Sequence, residues 1–212
     1  MKTETKKLDL TTGPLLPKIL EFAFPLAVSS VLQLLFNAAD VVVVGRFAGS
    51  RALAAVGSTT SLVMLLINLF IGFSVGSNVA AARAIGARED ARCSRVVHTS
   101  ILLGFLGGVV LLVAGVAFSP LLLELMGSPE DVISLSALYL RIYFVGMPAN
   151  MVYNFGAALL RAKGDTKRPL YCLMLSGVIN VVLNLIFVIV FHMSVAGVAL
   201  ATIISQLVSA VL

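Results

Sequence analysis

The stretch LLFNAADVVVVGRF, residues 34–47, decides how this sequence is read. It is apolar on both sides of one carboxylate, Asp40, with Asn37 three residues before it. An ionisable group inside an apolar run is costly when the run is buried or lies in lipid, so its setting comes first.

Composition makes that setting a membrane. The 212 residues are 59% hydrophobic and 12% charged, and the mean hydropathy is +1.06. The charged fraction is about half that of ordinary soluble domains, and a soluble domain could not hide this much apolar surface. Outward from Asp40 the chain divides into six long apolar segments, roughly 22–44, 52–82, 96–118, 132–160, 170–191 and 193–212. Each is long enough to cross a bilayer as a helix. Residues 52–82 carry no charge and exceed the bilayer thickness, which predicts tilt or overhang. Strict alternation is absent, which argues against a barrel. The expected fold is all-α, a polytopic bundle of six transmembrane helices.

Charge sets the expected topology. Residues 1–18, 83–95 and 161–168 hold twelve of the fifteen lysines and arginines, and the others are Arg46, Arg51 and Arg141. This asymmetry predicts a multi-pass protein of the plasma (inner) membrane with both ends of the segment cytoplasmic. The net charge of +5 is thus read as a topology signal with anionic lipid as a secondary partner, not as a nucleic-acid surface. Residues 1–18 are expected to be a cytoplasmic tail and 19–212 the transmembrane lobe. The first apolar run is too long for a signal-peptide core and reads as a retained span. Apolar sequence continues to Leu212, so the chain is expected to be one half of a longer protein. Cys93 and Cys172 are placed where no disulfide is expected.

The links predict local features. Ser128-Pro129-Glu130-Asp131 has the composition of a helix start with Ser as N-cap. Gly86 and Gly164 each follow an Arg-containing helix end and suit left-handed stops. Pro25, Gly146 and Pro148 break the regularity of spans one and four. Gly104 and Gly108 form a GxxxG pair that predicts close helix packing, and Gly72 and Gly76 repeat the spacing.

Polar residues align on helical faces. In span one, Ser29, Ser30, Gln33, Asn37 and Asp40 fall within an arc of about 100°. In span four, Tyr139, Tyr143, Asn150 and Asn154 fall within about 60°. Span five carries Ser176, Asn180 and Asn184 one turn apart, and span six carries Thr202, Ser205, Gln206 and Ser209 on one face. A single Ser or Asn in a span commonly glues helices together. Four stripes together predict a wet cavity. Depth counting brings Asp40, Asn180, Asn184 and Thr202 into one outer half. One carboxylate with amide and hydroxyl oxygens suits a hard cation such as sodium, and equally a proton. The competing reading leaves Asp40 hydrated at the outer interface.

One stretch offers an enzymatic alternative. Residues 72–76, GFSVG, match the GxSxG nucleophile pattern, as in a rhomboid-like intramembrane protease acting through Ser74. That needs Ser74 on a turn with a histidine in reach, whereas His98 and His192 sit at opposite ends of their spans. No HExxH, P-loop or dinucleotide fingerprint occurs, so no cofactor, tightly bound metal or catalytic residue is expected.

With these residues in hand, the sequence resembles the N-terminal half of a multidrug and toxic compound extrusion (MATE) transporter. The resemblance is carried by residues 10–26 (LTTGPLLPKILEFAFPL), 35–57 (LFNAADVVVVGRFAGSRALAAVG), 160–171 (LRAKGDTKRPLY) and 195–206 (VAGVALATIISQ). It implies one six-helix lobe of a twelve-helix antiporter that exchanges sodium or protons for organic cations. It also implies a missing C-terminal lobe, or a second copy of the chain, as partner. The implied cation site is Asp40, Asn180, Asn184 and Thr202. Gln33, Asn37, Tyr139, Asn150 and Asn154 would line the cavity, and Pro25 would be a hinge. Some relatives carry a second Asp where this sequence has Asn184, which leaves Asp40 as the sole carboxylate of the site. Related lipid-linked precursor flippases favour a more cationic cavity than these spans provide.

Overall fold

The structure is a computed structural model that describes residues 15–212. Of the expected tail, Lys2, Lys6 and Lys7 lie outside the described residues, and residues 15–18 already belong to the first helix. Seven helices follow: α1 (Leu15–Val43), α2 (Ser50–Gly86), α3 (Asp90–Leu125), α4 (Ile133–Val145), α5 (Met147–Ala162), α6 (Lys167–Leu185) and α7 (Ser194–Val211). Two wider π turns extend α1 (Val44–Ala48) and α6 (Ile186–Val190). Among the described residues five helices are long and apolar enough to cross a membrane, and Ile133–Val145 is a shorter apolar helix.

The expected fourth span is therefore two helices, α4 and α5, parted at Gly146. Pro148 cannot donate a backbone hydrogen bond, so the ladder is interrupted there. Gly146 N–H turns to Tyr143 O at 3.1 Å, and Gly146 O accepts the first bond of α5, from Asn150 N at 3.0 Å. Glycine is required at the break because α7 passes close. A Cβ on Gly146 would meet Gln206 Oε1 at 2.7 Å and Ile203 Cγ1 at 2.9 Å.

The centre of the lobe lies where α2, α3, α4 and α5 meet, with Leu140, Phe144, Met147 and Met151 fully buried. The Gly104/Gly108 pair packs as expected and extends to Gly115. Added methyls would strike the Phe155 ring at Gly104, the Pro148 backbone at Gly108 and the Phe144 ring at Gly115. One glycine face of α3 thus seats the broken span. Lipid supplies no hydrophobic drive between helices, so this contact rests on close approach and dispersion. Polar ties add to it: Ser58 Oγ and Ser136 Oγ are 3.1 Å apart across α2 and α4. Asn78 Nδ2 donates to Ala158 O at 2.7 Å across α2 and α5.

From this centre α7 packs on α4, α5 and α6, and α1 packs chiefly on α6. Only 6% of the first span is buried within the chain, against 39% of the last. α1 is therefore the outlying helix. It meets α6 at three heights: Glu21 Oε1 and Lys167 Nζ at 3.7 Å, Phe36 over Gly177, and Asp40 with Asn184. Gly177 matters because any side chain there would occupy the Phe36 ring.

Three local expectations need correction. α2 runs through Gly86, and the left-handed residue is Arg88, at φ 56°. Arg88 N bonds to Ile85 O and Glu89 N to Ala84 O, a Schellman closure in which Arg88 holds the position expected of a glycine. Gly164, at φ 78°, does close α5 in this way. Ser128 does not cap α4: Pro129 opens a turn closed by Val132 N to Pro129 O at 3.1 Å, and the helix begins at Ile133. A proline two residues past the left-handed Gly127 starts a turn before the helix can propagate. Finally, Gly72 and Gly76 are not a packing pair, since a Cβ on either would meet nothing within 4 Å. The spacing is shared with α3, but among the described residues no neighbour comes close enough to need it.

Candidate functional site

α1, α6 and α7 bring four side chains into one hydrogen-bonded series. Thr202 Oγ1 donates to Val198 O at 2.9 Å on its own helix, which leaves its lone pairs outward. Asn180 Nδ2 donates to Thr202 Oγ1 at 3.4 Å. Asn184 Nδ2 donates to Asn180 Oδ1 at 3.2 Å and also to Asp40 Oδ1. Both amide hydrogens of Asn184 are thus committed, one to each neighbour. Its own Oδ1 is buried with no donor among the described residues. Asn180 and Asn184 sit one turn apart on α6, which is why they share a face.

Asp40 is half-buried. It stands about 29 Å along the helix axis from Glu21, close to the thickness of an apolar layer of about 30 Å. It sits one turn before the π turn of α1, and Asn184 sits just before that of α6. The two π turns touch each other. Such turns alter the register of the residues they follow and recur at functional positions.

α4 supplies a second layer. Tyr139 and Tyr143 are stacked, with ring centroids 5.8 Å apart. Both are buried. Gln206 follows one turn after Thr202 on α7. Its Oε1 is a second buried acceptor with no donor among the described residues. Reading the sequence set Tyr143 and Gln206 on polar faces without giving them a place at the carboxylate. Their spacing of four residues from Tyr139 and Thr202 was the signal.

The other expected residues are placed differently. Gln33 and Asn37 are exposed on α1. Ser29 Oγ and Ser30 Oγ donate to Pro25 O and Leu26 O of their own helix. Pro25 lies inside α1 and is buried. Asn150 and Asn154 bond to each other on α5, and no hydrogen bond among the described residues joins them to Asp40. Ser74 is buried in the unbroken helix α2 and donates to Ile71 O at 2.7 Å, which is not the turn a nucleophile needs.

The chain is similar to known proteins in sequence and in fold. The MatE family model matches residues 25–186. Probable multidrug resistance protein YoeA of Bacillus subtilis is 40% identical over 190 residues, covering 88% of this chain and 41% of that protein. Probable multidrug resistance protein YpnP of the same organism is 31% identical, covering 95% of this chain and 45% of that protein. A solved outward-facing multidrug resistance MATE family transporter of the MOP superfamily is 30% identical with a TM-score of 0.90. It is covered over 99% of this chain and 46% of its own length. The chain spans less than half the length of the relatives it matches. On the family match, the identity to these relatives and the helical lobe they share, the chain is a multi-pass membrane protein and belongs to the MatE family of multidrug and toxic compound extrusion transporters.

Proposed function

We propose that the chain is one lobe of a secondary active antiporter that exports organic cations in exchange for sodium or protons by alternating access. The lobe works with a second lobe, or with another copy, in the plasma membrane, and its two ends are cytoplasmic. The observation that carries the reading is the series from Asp40 through Asn184 and Asn180 to Thr202 on three helices. Its acceptors are one carboxylate, amide oxygens and a hydroxyl, the set a hard cation takes. The free Oδ1 of Asn184 is available as a further oxygen.

Coupling would follow from where α1 is held. Near its outer end the helix is tied to α6 by the Asp40–Asn184 bond. A hydrogen bond of this kind to a charged group contributes about 1.5–3 kcal/mol. A proton or sodium ion on Asp40 competes for the same oxygen and weakens the tie. Pro25, which leaves a backbone acceptor of α1 unfilled, is the place for the helix to yield. Tyr139 and Gln206 would then meet the substrate cavity, with Gln33, Asn37, Asn150 and Asn154 farther along its walls.

The test is Asp40→Asn in the full-length protein, reconstituted in vesicles with an imposed sodium or pH gradient. Loss of gradient-driven export, with the protein still folded, is expected. Export with an unchanged gradient dependence would remove Asp40 from the mechanism. Running each gradient alone identifies the coupling ion.

A further inference from the structure

We propose that the groove between α2 and α3, at the end where residues 83–95 join them, binds one anionic phospholipid. Its phosphate would lie on Arg95 and Arg92, and an acyl chain would run past Ala80, Gly76 and Leu103. This site is separate from the Asp40 series and does not depend on the transport reading.

The groove measures about 770 Å³, is open to one side, and is lined by α2, α3 and Glu89 of the link between them. Its two ends differ in chemistry. Glu89, Arg92 and Arg95 stand at one end, and Phe73 and Leu103 at the other. The distance from Arg95 to Leu103 along α3 is about 12 Å. A slot charged at the membrane surface and apolar below it has the polarity of a single lipid. Gly76, Ser77, Ala80 and Ser100 are small residues of its lining, and a Cβ on Gly76 would meet nothing within 4 Å, so no side chain among the described residues fills it there. Phe73 and Leu103 are 61% and 54% exposed. In a membrane-spanning chain such apolar walls are covered by lipid tails and not by water.

The charge selects the headgroup. Arg92 Nη1 is 3.2 Å from Glu89 Oε2, an exposed ion pair that uses one of the five N–H donors of Arg92 and leaves the others for a ligand. Arg95 is exposed and has no carboxylate partner among the described residues. Two guanidinium groups against one carboxylate leave a net positive mouth, and the planar fork of arginine matches a phosphate. A zwitterionic headgroup would use Glu89 for its ammonium, whereas an anionic one is repelled by Glu89. The two classes therefore respond to Glu89 in opposite directions.

The experiment is native mass spectrometry of the full-length protein, titrated in parallel with phosphatidylglycerol and phosphatidylethanolamine. Wild type should retain phosphatidylglycerol preferentially. Each arginine charge near an anionic headgroup contributes about fivefold, so Arg92→Gln with Arg95→Gln should weaken retention about 25-fold. Glu89→Gln should strengthen it, Ala80→Phe should block both lipids, and Arg46→Gln with Arg51→Gln at the opposite end should change nothing. Equal retention of the two lipids, unchanged binding in the double arginine variant, or weaker phosphatidylglycerol binding in Glu89→Gln would overturn the proposal.

Discussion

Gly108→Ala tests the packing on which the lobe is built. The added Cβ would lie 2.8 Å from Pro148 N and 2.9 Å from Met147 O. Both are backbone atoms at the start of α5, and the proline ring makes that turn stiff, so no side chain can swing aside. Contact at van der Waals distance needs about 3.5–4.0 Å, so α3 and α5 must part by roughly 1 Å at this height. A gap of that size forfeits about a quarter to a half of each dispersion contact beside it. Overpacking of this kind costs about 1–3 kcal/mol. Alanine returns up to about 1 kcal/mol in helix propensity. A net loss of about 1 kcal/mol corresponds to a fall of about 2–4 °C in Tm for a unit of this size. The assay is thermal unfolding of the full-length protein in detergent, followed by the fraction surviving size-exclusion chromatography after heating. Gly72→Ala and Gly76→Ala are the matched controls, because their methyls enter open space, and they should be neutral or slightly stabilising. If Gly108→Ala unfolds at the same temperature as these controls, the glycine face of α3 does not seat α5 and the packing argument is refuted.

Two further outcomes follow from the site and its supports. Asn184→Asp places a second carboxylate in contact with Asp40. It should lower Tm in sodium-free buffer and regain it on adding sodium more steeply than wild type; a Tm indifferent to sodium in both proteins would exclude the series as a sodium site. Asn78→Ala removes the 2.7 Å bond to Ala158 O. Interhelical bonds in membranes average about 0.6 kcal/mol, so the expected fall in Tm is about 1–3 °C, and a larger fall would mean that Asn78 holds more than one carbonyl.

The candidate site was legible in the sequence to the extent that helical geometry carries it. Asn180 and Asn184 had to share a face of α6, and counting residues from each helix end put Asp40 and Thr202 at a similar height. Asn150 and Asn154 satisfied the same rules yet pair with each other instead, because the break at Gly146 divides their helix from the one bearing Tyr139. Asn78 belonged to no stripe, so nothing in its surroundings marked it as a strut between helices. Arg88 was illegible for a different reason. Its left-handed backbone is imposed by the closure of α2, and arginine has no intrinsic preference that would announce it.

The sequence by itself determined the membrane class, the apolar segments and the polar faces. Each follows from composition and from the rotation of successive residues about a helix axis, which are local quantities. Only the tertiary structure decided which faces meet. Gly104/Gly108 and Gly72/Gly76 have identical spacing, but one pair lies under α5 and the other faces open space. The same holds for Asp40. Its helix and height were readable from the chain, but its partner Asn184 lies 144 residues away. That meeting exists because Gly177 lets Phe36 bring α1 against α6.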